Sequence, residues 1–175
     1  IVKDLKFNDE SIKQIVQLQE KLCEIFGRKR KEAALGVYDF DRIKWPIKYE
    51  DLEPEKIKFI PLEAKENLPK ERFSGPQKSE ISAETKEMTG KEILQKHPTG
   101  IAYKHLLENE KKYPLLYDSK GNVLSMPPII NSDYTGKITE KTKNVFIEVT
   151  GYNYRFIVPV LNTIVTSLAD RGGKI

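Results

Sequence analysis

Two adjacent prolines, Pro127 and Pro128, lie in the middle of the apolar stretch from Leu124 to Ser132. Proline has no N–H group to offer a neighbouring strand, so this stretch cannot run uninterrupted through the interior of a sheet. Two interpretations remain open. The prolines either hold a stiff, extended wall beside a binding pocket, leaving Ser125 free to face a ligand, or they only protect a sheet edge from pairing with another chain.

The segment from Lys143 to Gly151, KNVFIEVTG, is the clearest strand in the chain. Side chains alternate between the two faces of a strand, so one face is aliphatic and the other carries Phe146, Glu148 and Thr150. That second face is either a solvated outer surface or a half-apolar pocket with one acceptor group. Phe146 favours the pocket, because an outer surface would leave its ring exposed to water beside a carboxylate.

Amphipathic helices are expected at both ends of the chain. Polar N-cap candidates at residues 8–11 precede a first helix that ends at Gly27, and a last helix closes at Gly172 and Gly173. The residues expected on the buried side of the first helix are Ile12, Ile15, Val16, Leu22, Ile25 and Phe26. Those expected on the buried side of the last helix are Phe156, Ile157, Val160, Leu161, Ile164, Val165 and Leu168.

Short strands and short helices are expected between these two. The expected strands are AALGVYDF (33–40), WPIKY (45–49), IKFIPL (57–62) and a hairpin made of LLYD (115–118) and VLSM (123–126). Thr89 and Glu92 form a capping box at the start of a helix that must end before Pro98, and Thr99 is the expected cap of the next helix. Helices flanking clustered strands predict an α+β fold.

The bulk composition limits the class of protein. The 175 residues fit one domain spanning 1–175, and a net charge of +4 permits a polyanionic partner without requiring one. The single cysteine, Cys23, rules out a disulfide framework. The polar segment 63–88 is expected to be an exposed arm. No apolar run has the length of a membrane span, so we expect a cytoplasmic protein, here a piece of a longer chain.

Few other residues suggest chemistry. His97 and His105 are eight positions apart with Pro98 between them, so no helical metal pair exists and we expect no metal site. Neither a glycine-rich phosphate loop nor a Ser-His-Asp arrangement can be argued from the spacing. The basic run from Arg28 through Lys29 and Arg30 to Lys31 either contacts RNA phosphates or is a solvated helix end.

Several stretches together resemble the central editing domain of phenylalanyl-tRNA synthetase beta subunits of the archaeal and eukaryotic type. They are, in order, RKRKEAALGVYDFDRIKWPI, IKFIPL, MTGKEILQKHPTGIAY, YPLLYDSKGNVLSMPPIINS, TEKTKNVFIEVTG and LADRGG. They span nearly all of the chain after the first helix. The pair VLSMPPIINS and NVFIEVTG is specific enough to make coincidence a poor explanation.

The resemblance implies a three-layer α+β arrangement, with a β-sandwich of unusual topology flanked by helices. It implies a parent enzyme of two alpha and two beta subunits that uses ATP and magnesium, whereas this domain needs no cofactor. It also implies hydrolysis of tyrosine wrongly attached to tRNA-Phe. The expected pocket residues are Leu116, Ser125, Met126, Asn131, Phe146, Glu148 and Thr150. Glu148 would recognise the tyrosine hydroxyl, Leu116 would pack on the ring, and Ser125 and Thr150 would place the ester or its attacking water.

Two alternatives to hydrolysis stay open. In the first, the chain is a non-catalytic RNA-docking or assembly module of the same synthetase, and Arg28 to Lys31 contact phosphate. In the second, it binds amino acids or peptides without turnover. The editing hypothesis has a chemical reason behind it. A hydrophobic pocket shaped for phenylalanine rejects a ring with one added hydroxyl by only about 100-fold, whereas a buried carboxylate can discriminate by about 10⁴-fold.

Overall fold

The computed structural model describes residues 1–62 and 86–175. The helices in these ranges are α1 (Asp9–Lys21), α2 (Gly90–Lys96), α3 (Pro98–Tyr103), α4 (Asp133–Gly136) and α5 (Tyr154–Asp170), with a π-helical turn at Leu22–Phe26 and 3₁₀ turns at Phe40–Arg42 and Lys104–Leu106. The strands are β1 (Ala33–Asp39), β2 (Lys48–Leu52), β3 (Lys58–Phe59), β4 (Met88–Thr89), β5 (Tyr113–Tyr117), β6 (Val123–Met126), β7 (Ile130–Asn131) and β8 (Val145–Gly151).

The polar segment 63–88, expected to be an exposed arm, falls almost entirely outside the described residues. At its end, Met88 belongs to β4, which pairs with β3. The segment expected to be an arm is therefore followed directly by the β4–α2 junction, where Thr89 and Glu92 form the capping box that the sequence predicts. Each side chain there accepts a hydrogen bond from the backbone of the other residue.

The described strands pair antiparallel throughout. Within the described ranges, β1 pairs with β8, a second sheet has the order β2-β5-β6-β7, and β3 pairs with β4. The β5–β6 hairpin predicted from the turn SKGN is confirmed. Asp118 closes it by accepting hydrogen bonds from the backbone N–H groups of Lys120 and Asn122, and Gly121 takes a φ of 84°.

Helices α1 and α5 cover one face of the β1–β8 pair. The aliphatic residues of both strands pack there against Ile12 and Ile15 of α1 and against Val160, Ile164 and Leu168 of α5. The other face of β1–β8 lies against the β2-β5-β6-β7 sheet, where Tyr38 packs with Leu116 and Leu124. The far side of that sheet is covered by α2, α3 and the β3–β4 pair. The expected α+β class, with a β-sandwich flanked by helices, is confirmed.

The first helix differs from its prediction. Ile12, Ile15 and Leu22 are buried as expected, but Val16, Ile25 and Phe26 are exposed, Ile25 by 69%. After Lys21 the helix widens into the π-helical turn, whose i→i+5 hydrogen bonds fit more residues into each turn than the 3.6 assumed for an α-helix. The apolar stripe therefore does not continue to residues 25 and 26.

The helix after Pro98 also begins differently. Its cap is His97 rather than Thr99, because the Nδ1 atom of His97 accepts a hydrogen bond from the Thr99 backbone N–H at 3.2 Å. Burial lowers the pKa of His97, which favours the neutral ring that this contact needs. No helix in the described part of the chain is both long enough and apolar enough to cross a membrane.

Candidate functional site between the two sheets

The two prolines form the tight turn between β6 and β7. Ile129 donates its backbone N–H to the carbonyl of Met126 at 2.8 Å, and the peptide bond between Pro127 and Pro128 is cis. Of the two interpretations left open by the sequence, the stiff, extended wall beside a pocket does not hold, because the prolines form a turn. Because the chain reverses here, Ser125 on β6 and Asn131 on β7 become direct partners in the sheet.

Four side chains form one row across the β2-β5-β6-β7 sheet. Tyr49 pairs with Leu116, Leu116 with Ser125, and Ser125 with Asn131. Directly paired residues point to the same face of a sheet, and this face looks towards β1 and β8. The hairpin, the proline turn and the pairing with β2 thus bring together three residues predicted from the sequence, Leu116, Ser125 and Asn131, together with Tyr49, which the sequence analysis missed.

A β-bulge decides which β6 side chains face this layer. Leu116 pairs with Ser125 and the next residue, Tyr117, pairs with Val123, so Leu124 has no direct partner on β5. The bulge interrupts the alternation, and both Leu124 and Ser125 reach the layer between the sheets. Met126 is fully buried in the cluster on the far side of the sheet. The structure does not bring Met126 together with Glu148, although the sequence analysis placed both in the pocket.

The facing strand pair contributes a second set of side chains. On β1, Gly36 lies opposite Glu148, and Tyr38 lies opposite Phe146. A Cβ atom on Gly36 would come within 2.1 Å of the Tyr38 hydroxyl oxygen and 2.6 Å of Glu148 Oε2. Glycine at this position is therefore what allows the phenol and the carboxylate to meet beneath the strand.

The hydroxyl group of Tyr38 is the centre of a polar network. It donates to Glu148 Oε2 at 2.8 Å and lies 2.9 Å from Ser125 Oγ and 3.3 Å from Asn131 Oδ1. Tyr38 is completely buried and Ser125 is 2% exposed. Three of the predicted pocket residues, Ser125, Asn131 and Glu148, thus converge on one phenol that the sequence analysis had not singled out.

Two oxygen atoms in this layer have no hydrogen-bond partner among the described residues. They are Oε1 of Glu148 and Oγ1 of Thr150, and both atoms are buried although each side chain is partly exposed as a whole. Buried polar atoms are nearly always paired in proteins, so two such atoms on adjacent inward positions of one strand call for an explanation. A ligand that donates a hydrogen bond to Oε1 of Glu148 and offers a second polar group to Oγ1 of Thr150 would satisfy them.

The charge state of Glu148 is strongly perturbed. Burial raises the pKa of Glu148 to about 7. The hydrogen bond from Tyr38, and the nearby Thr150 hydroxyl, which lies outside hydrogen-bonding geometry, act in the opposite direction. Near neutral pH the carboxyl is therefore divided between its charged and neutral forms. Perturbed carboxyl groups of this kind occur preferentially at functional sites.

Aromatic rings line the side of the site towards residues 45–49. Phe146 stacks on Tyr38 with ring centroids 5.9 Å apart and meets the edge of Trp45 at 5.5 Å. Trp45 and Tyr49 are about half exposed. Partial burial, and after it the negative charge of Glu148, raises the pKa of Tyr49, which indicates that Tyr49 lies close to the carboxylate. The arrangement is an acceptor group beside partly open aromatic walls.

Two of the four residues of the basic run, Arg28 and Arg30, are engaged by the fold. Arg28, Lys29 and Arg30 have positive φ angles of 48°, 58° and 65° in the turn after the π-helical segment. Arg30 donates to the carbonyls of Pro128 and Ile129 and lies over the ring of Tyr103, so it supports the proline turn from behind. Arg28 lies over the ring of Phe156. Lys29 and Lys31 are exposed.

Gly36, Tyr38 and Tyr49 were not among the residues predicted from the sequence. A signal for the first two was present, because alternation in AALGVYDF puts Gly36 and Tyr38 on one face of β1. The sequence did not predict which strands this face of β1 would pack against. In the described part of the chain no group of three or more His, Cys, Asp or Glu side chains is arranged to hold a metal ion.

Comparison with known proteins identifies the family. Residues 5–160 match the model of the B3/4 domain. The phenylalanine–tRNA ligase beta subunit of Thermococcus sibiricus is 49% identical over 175 residues, and that of Methanocaldococcus jannaschii is 41% identical over 176 residues. The chain spans 28% of the length of each of these relatives.

A solved structure supports the same assignment. The crystal structure of an N-terminal fragment of the phenylalanyl-tRNA synthetase beta subunit from Pyrococcus horikoshii superposes with a TM-score of 0.83 at 47% sequence identity, covering 99% of this chain and 44% of that fragment. Sequence and fold therefore agree over essentially the whole chain. The chain belongs to the B3/4 domain family, in the form present in archaeal phenylalanine–tRNA ligase beta subunits.

Proposed function

We propose that this domain hydrolyses the ester that links tyrosine to tRNA-Phe, as the proofreading part of a phenylalanine–tRNA ligase, and that Glu148 recognises the tyrosine hydroxyl. The observation that carries the proposal is the buried, unpartnered Oε1 of Glu148 beside the unpartnered Oγ1 of Thr150. A tyrosine hydroxyl would donate to that oxygen. A phenylalanine ring would leave it unpaired, which costs about 1–3 kcal/mol or more for a charged group.

The aromatic surroundings support the same substrate. Phe146 is half-buried between Tyr38 and Trp45, and Leu116 is buried in the same layer. A substrate ring entering from the side of Tyr49 would contact these groups while its hydroxyl reaches Glu148. The charge-assisted hydrogen bond between the phenol and the carboxylate then selects tyrosine over phenylalanine.

Hydrolysis itself depends on placing a water molecule at the ester carbonyl. Ser125 is already engaged with Tyr38, so we assign to it the support of the network and to Thr150, whose hydroxyl is unpartnered, the placement of the ester or the water. Holding the reactants in line supplies much of the rate, and backbone N–H groups can stabilise the oxyanion. The tRNA, the alpha subunit and the remaining domains of the beta subunit are the implied partners in the cytoplasm. ATP and magnesium belong to the ligation reaction of the parent enzyme.

The test is deacylation of Tyr-tRNA-Phe by the complete synthetase. We expect Glu148→Ala to lower the rate by about 100-fold or more, because the group that pairs with the phenol is gone. Glu50→Ala is the matched control, since the Glu50 carboxylate also accepts from a phenol, that of Tyr117, but at an exposed position on the far face of the β2-β5-β6-β7 sheet. An unchanged rate in Glu148→Ala would contradict the proposal. If Glu148→Ala leaves the deacylation rate unchanged and Lys29→Ala and Lys31→Ala weaken tRNA binding, the RNA-docking alternative is favoured.

A further inference from the structure

We propose that Tyr38 is the positioning residue that sets the specificity of this site: its hydroxyl holds one oxygen of Glu148 and leaves the other as the single acceptor for a substrate. This inference rests on the function proposed above and extends it to a residue that never needs to touch the reacting ester. It predicts that a buried tyrosine of the protein itself determines how a tyrosine of the substrate is recognised.

The hydroxyl of Tyr38 has one proton to donate. Among its three polar neighbours, Glu148 Oε2 is the nearest at 2.8 Å and the only acidic one. The hydroxyl of Ser125, at 2.9 Å, can in turn donate to the phenol oxygen. Burial, followed by the charge of Glu148, raises the pKa of Tyr38 well above its usual value, so this phenol stays protonated and remains a donor.

The hydrogen bond from Tyr38 fixes the orientation of the Glu148 carboxylate. With Oε2 occupied, Glu148 cannot rotate without breaking its hydrogen bond to Tyr38, and Oε1 is left buried without a partner among the described residues. An acceptor that is fixed in direction discriminates between donors better than one that can turn towards any donor. The site therefore accepts one hydroxyl at the end of an aromatic ring.

The surrounding fold accommodates the contact between the Tyr38 hydroxyl and the Glu148 carboxylate. Gly36 leaves room for the phenol and the carboxylate at a place where a Cβ atom would lie only 2.1 Å from the Tyr38 oxygen. Phe146 stacks on the ring of Tyr38, and Leu116 and Leu124 enclose it. Apolar packing holds the ring and polar contacts hold its hydroxyl. Tyr38→Phe therefore removes the polar contacts and leaves the packing of the ring intact.

The experiment compares Tyr38→Phe with wild type in the complete synthetase. Deacylation of Tyr-tRNA-Phe and of Phe-tRNA-Phe is measured across the pH range, with spontaneous ester hydrolysis subtracted. Losing a donor to the carboxylate raises its pKa, so the pH at which deacylation reaches half its maximum should rise by about one unit. The ratio of Tyr-tRNA to Phe-tRNA deacylation should fall by about tenfold as the acceptor loses its fixed direction.

Tyr117→Phe is the matched control, because it removes a phenol that donates to Glu50 at 2.6 Å outside this layer. It should change neither the pH midpoint nor the ratio. Ser125→Ala is the second variant: by weakening the phenol network it should move the midpoint in the same direction by less. If wild type deacylates Tyr-tRNA-Phe but both Tyr38→Phe and Ser125→Ala keep the wild-type pH midpoint and the wild-type deacylation ratio, the role proposed for Tyr38 is wrong. The proposed function of the domain would stand. Wild type without Tyr-tRNA deacylation overturns the proposed function and this inference together.

Discussion

The two faces of strand β8 differ in how completely they are satisfied. On the face towards α1 and α5, Val145 and Ile147 are buried among aliphatic side chains. On the opposite face of the same strand, Glu148 and Thr150 each hold a buried oxygen without a partner in the described ranges. One face is organised as a packed core and the other retains polar groups at a cost to stability, which is the pattern expected where function rather than packing selects the residues.

The difference arises from what each face meets. The outer face meets the apolar stripes of two helices, including Ile164 and Leu168 of α5. The inner face meets the row across the other sheet, whose members Ser125 and Asn131 are polar and whose outermost member, Tyr49, is 59% exposed. A carboxyl group can be buried in polar, partly open surroundings, although its pKa is then shifted. Among aliphatic side chains the cost of burying it is too high.

The largest effect should come from the packed face. We expect Ile147→Ala to lower the free energy of unfolding by about 3 kcal/mol, because it leaves a cavity between β8 and the helices. Denaturant unfolding of the 175-residue chain measures this. Ile147→Val is the matched control, with an expected loss of about 1 kcal/mol. Equal and small losses for both variants would show that this face is not tightly packed.

A smaller effect should follow from filling the space under the inner face. Gly36→Ala puts a Cβ atom against the hydroxyl of Tyr38, and we expect a loss of about 2 kcal/mol from this overpacking. In a double-mutant cycle with Tyr38→Phe, the two losses should not add, because both act on the same phenol; a coupling energy of at least about 0.5 kcal/mol is expected. Simple additivity would mean that the added Cβ atom is resisted by the ring carbon of Tyr38, at 2.5 Å, and by Glu148 Oε2, at 2.6 Å, rather than by the hydroxyl.

The third prediction has the opposite sign and depends on pH. The unfolded chain loses the Glu148 proton near the usual value of 4.5, whereas burial in the folded chain raises the pKa to about 7. Stability is therefore lost as the pH rises through this window, because the folded state holds the proton more tightly. At about pH 8 we expect Glu148→Gln to be more stable than wild type by about 3 kcal/mol, with the difference vanishing at about pH 4.

Unfolding curves of wild type and Glu148→Gln at several pH values measure this difference. A stability difference between wild type and Glu148→Gln that stays constant across the range would mean that Glu148 is not perturbed by burial. Together with Ile147→Ala, the result would give two adjacent positions of one strand opposite responses to the loss of their native groups.

The local features could be predicted from the sequence. Alternation in KNVFIEVTG placed Glu148 and Thr150 on the face of Phe146, the turn SKGN placed the hairpin, and the spacing in α5 identified Val160, Ile164 and Leu168 as buried. These succeed because each depends on a backbone period or turn geometry that acts over a few neighbouring residues. The resemblance of longer stretches then identified the family.

The features that were predicted wrongly from the sequence lie where the backbone is irregular. The π-helical turn moved Ile25 and Phe26 to the surface, the bulge at Leu116 and Tyr117 brought the consecutive residues Leu124 and Ser125 to the same layer, and the two prolines made a turn rather than a wall. Each of these inserts or removes part of a repeat, so an argument from regular periodicity fails at that point.

The sequence by itself determined which side chains share a face of β8 and which family the chain resembles, because both are properties of short, continuous stretches. Only the tertiary structure decided that the phenol of Tyr38 meets the carboxylate of Glu148, 110 positions further along the chain. The physical reason is register: strands far apart in sequence pair according to the packing of the whole core, and a shift of one residue would turn Tyr38 to the opposite face and away from Glu148.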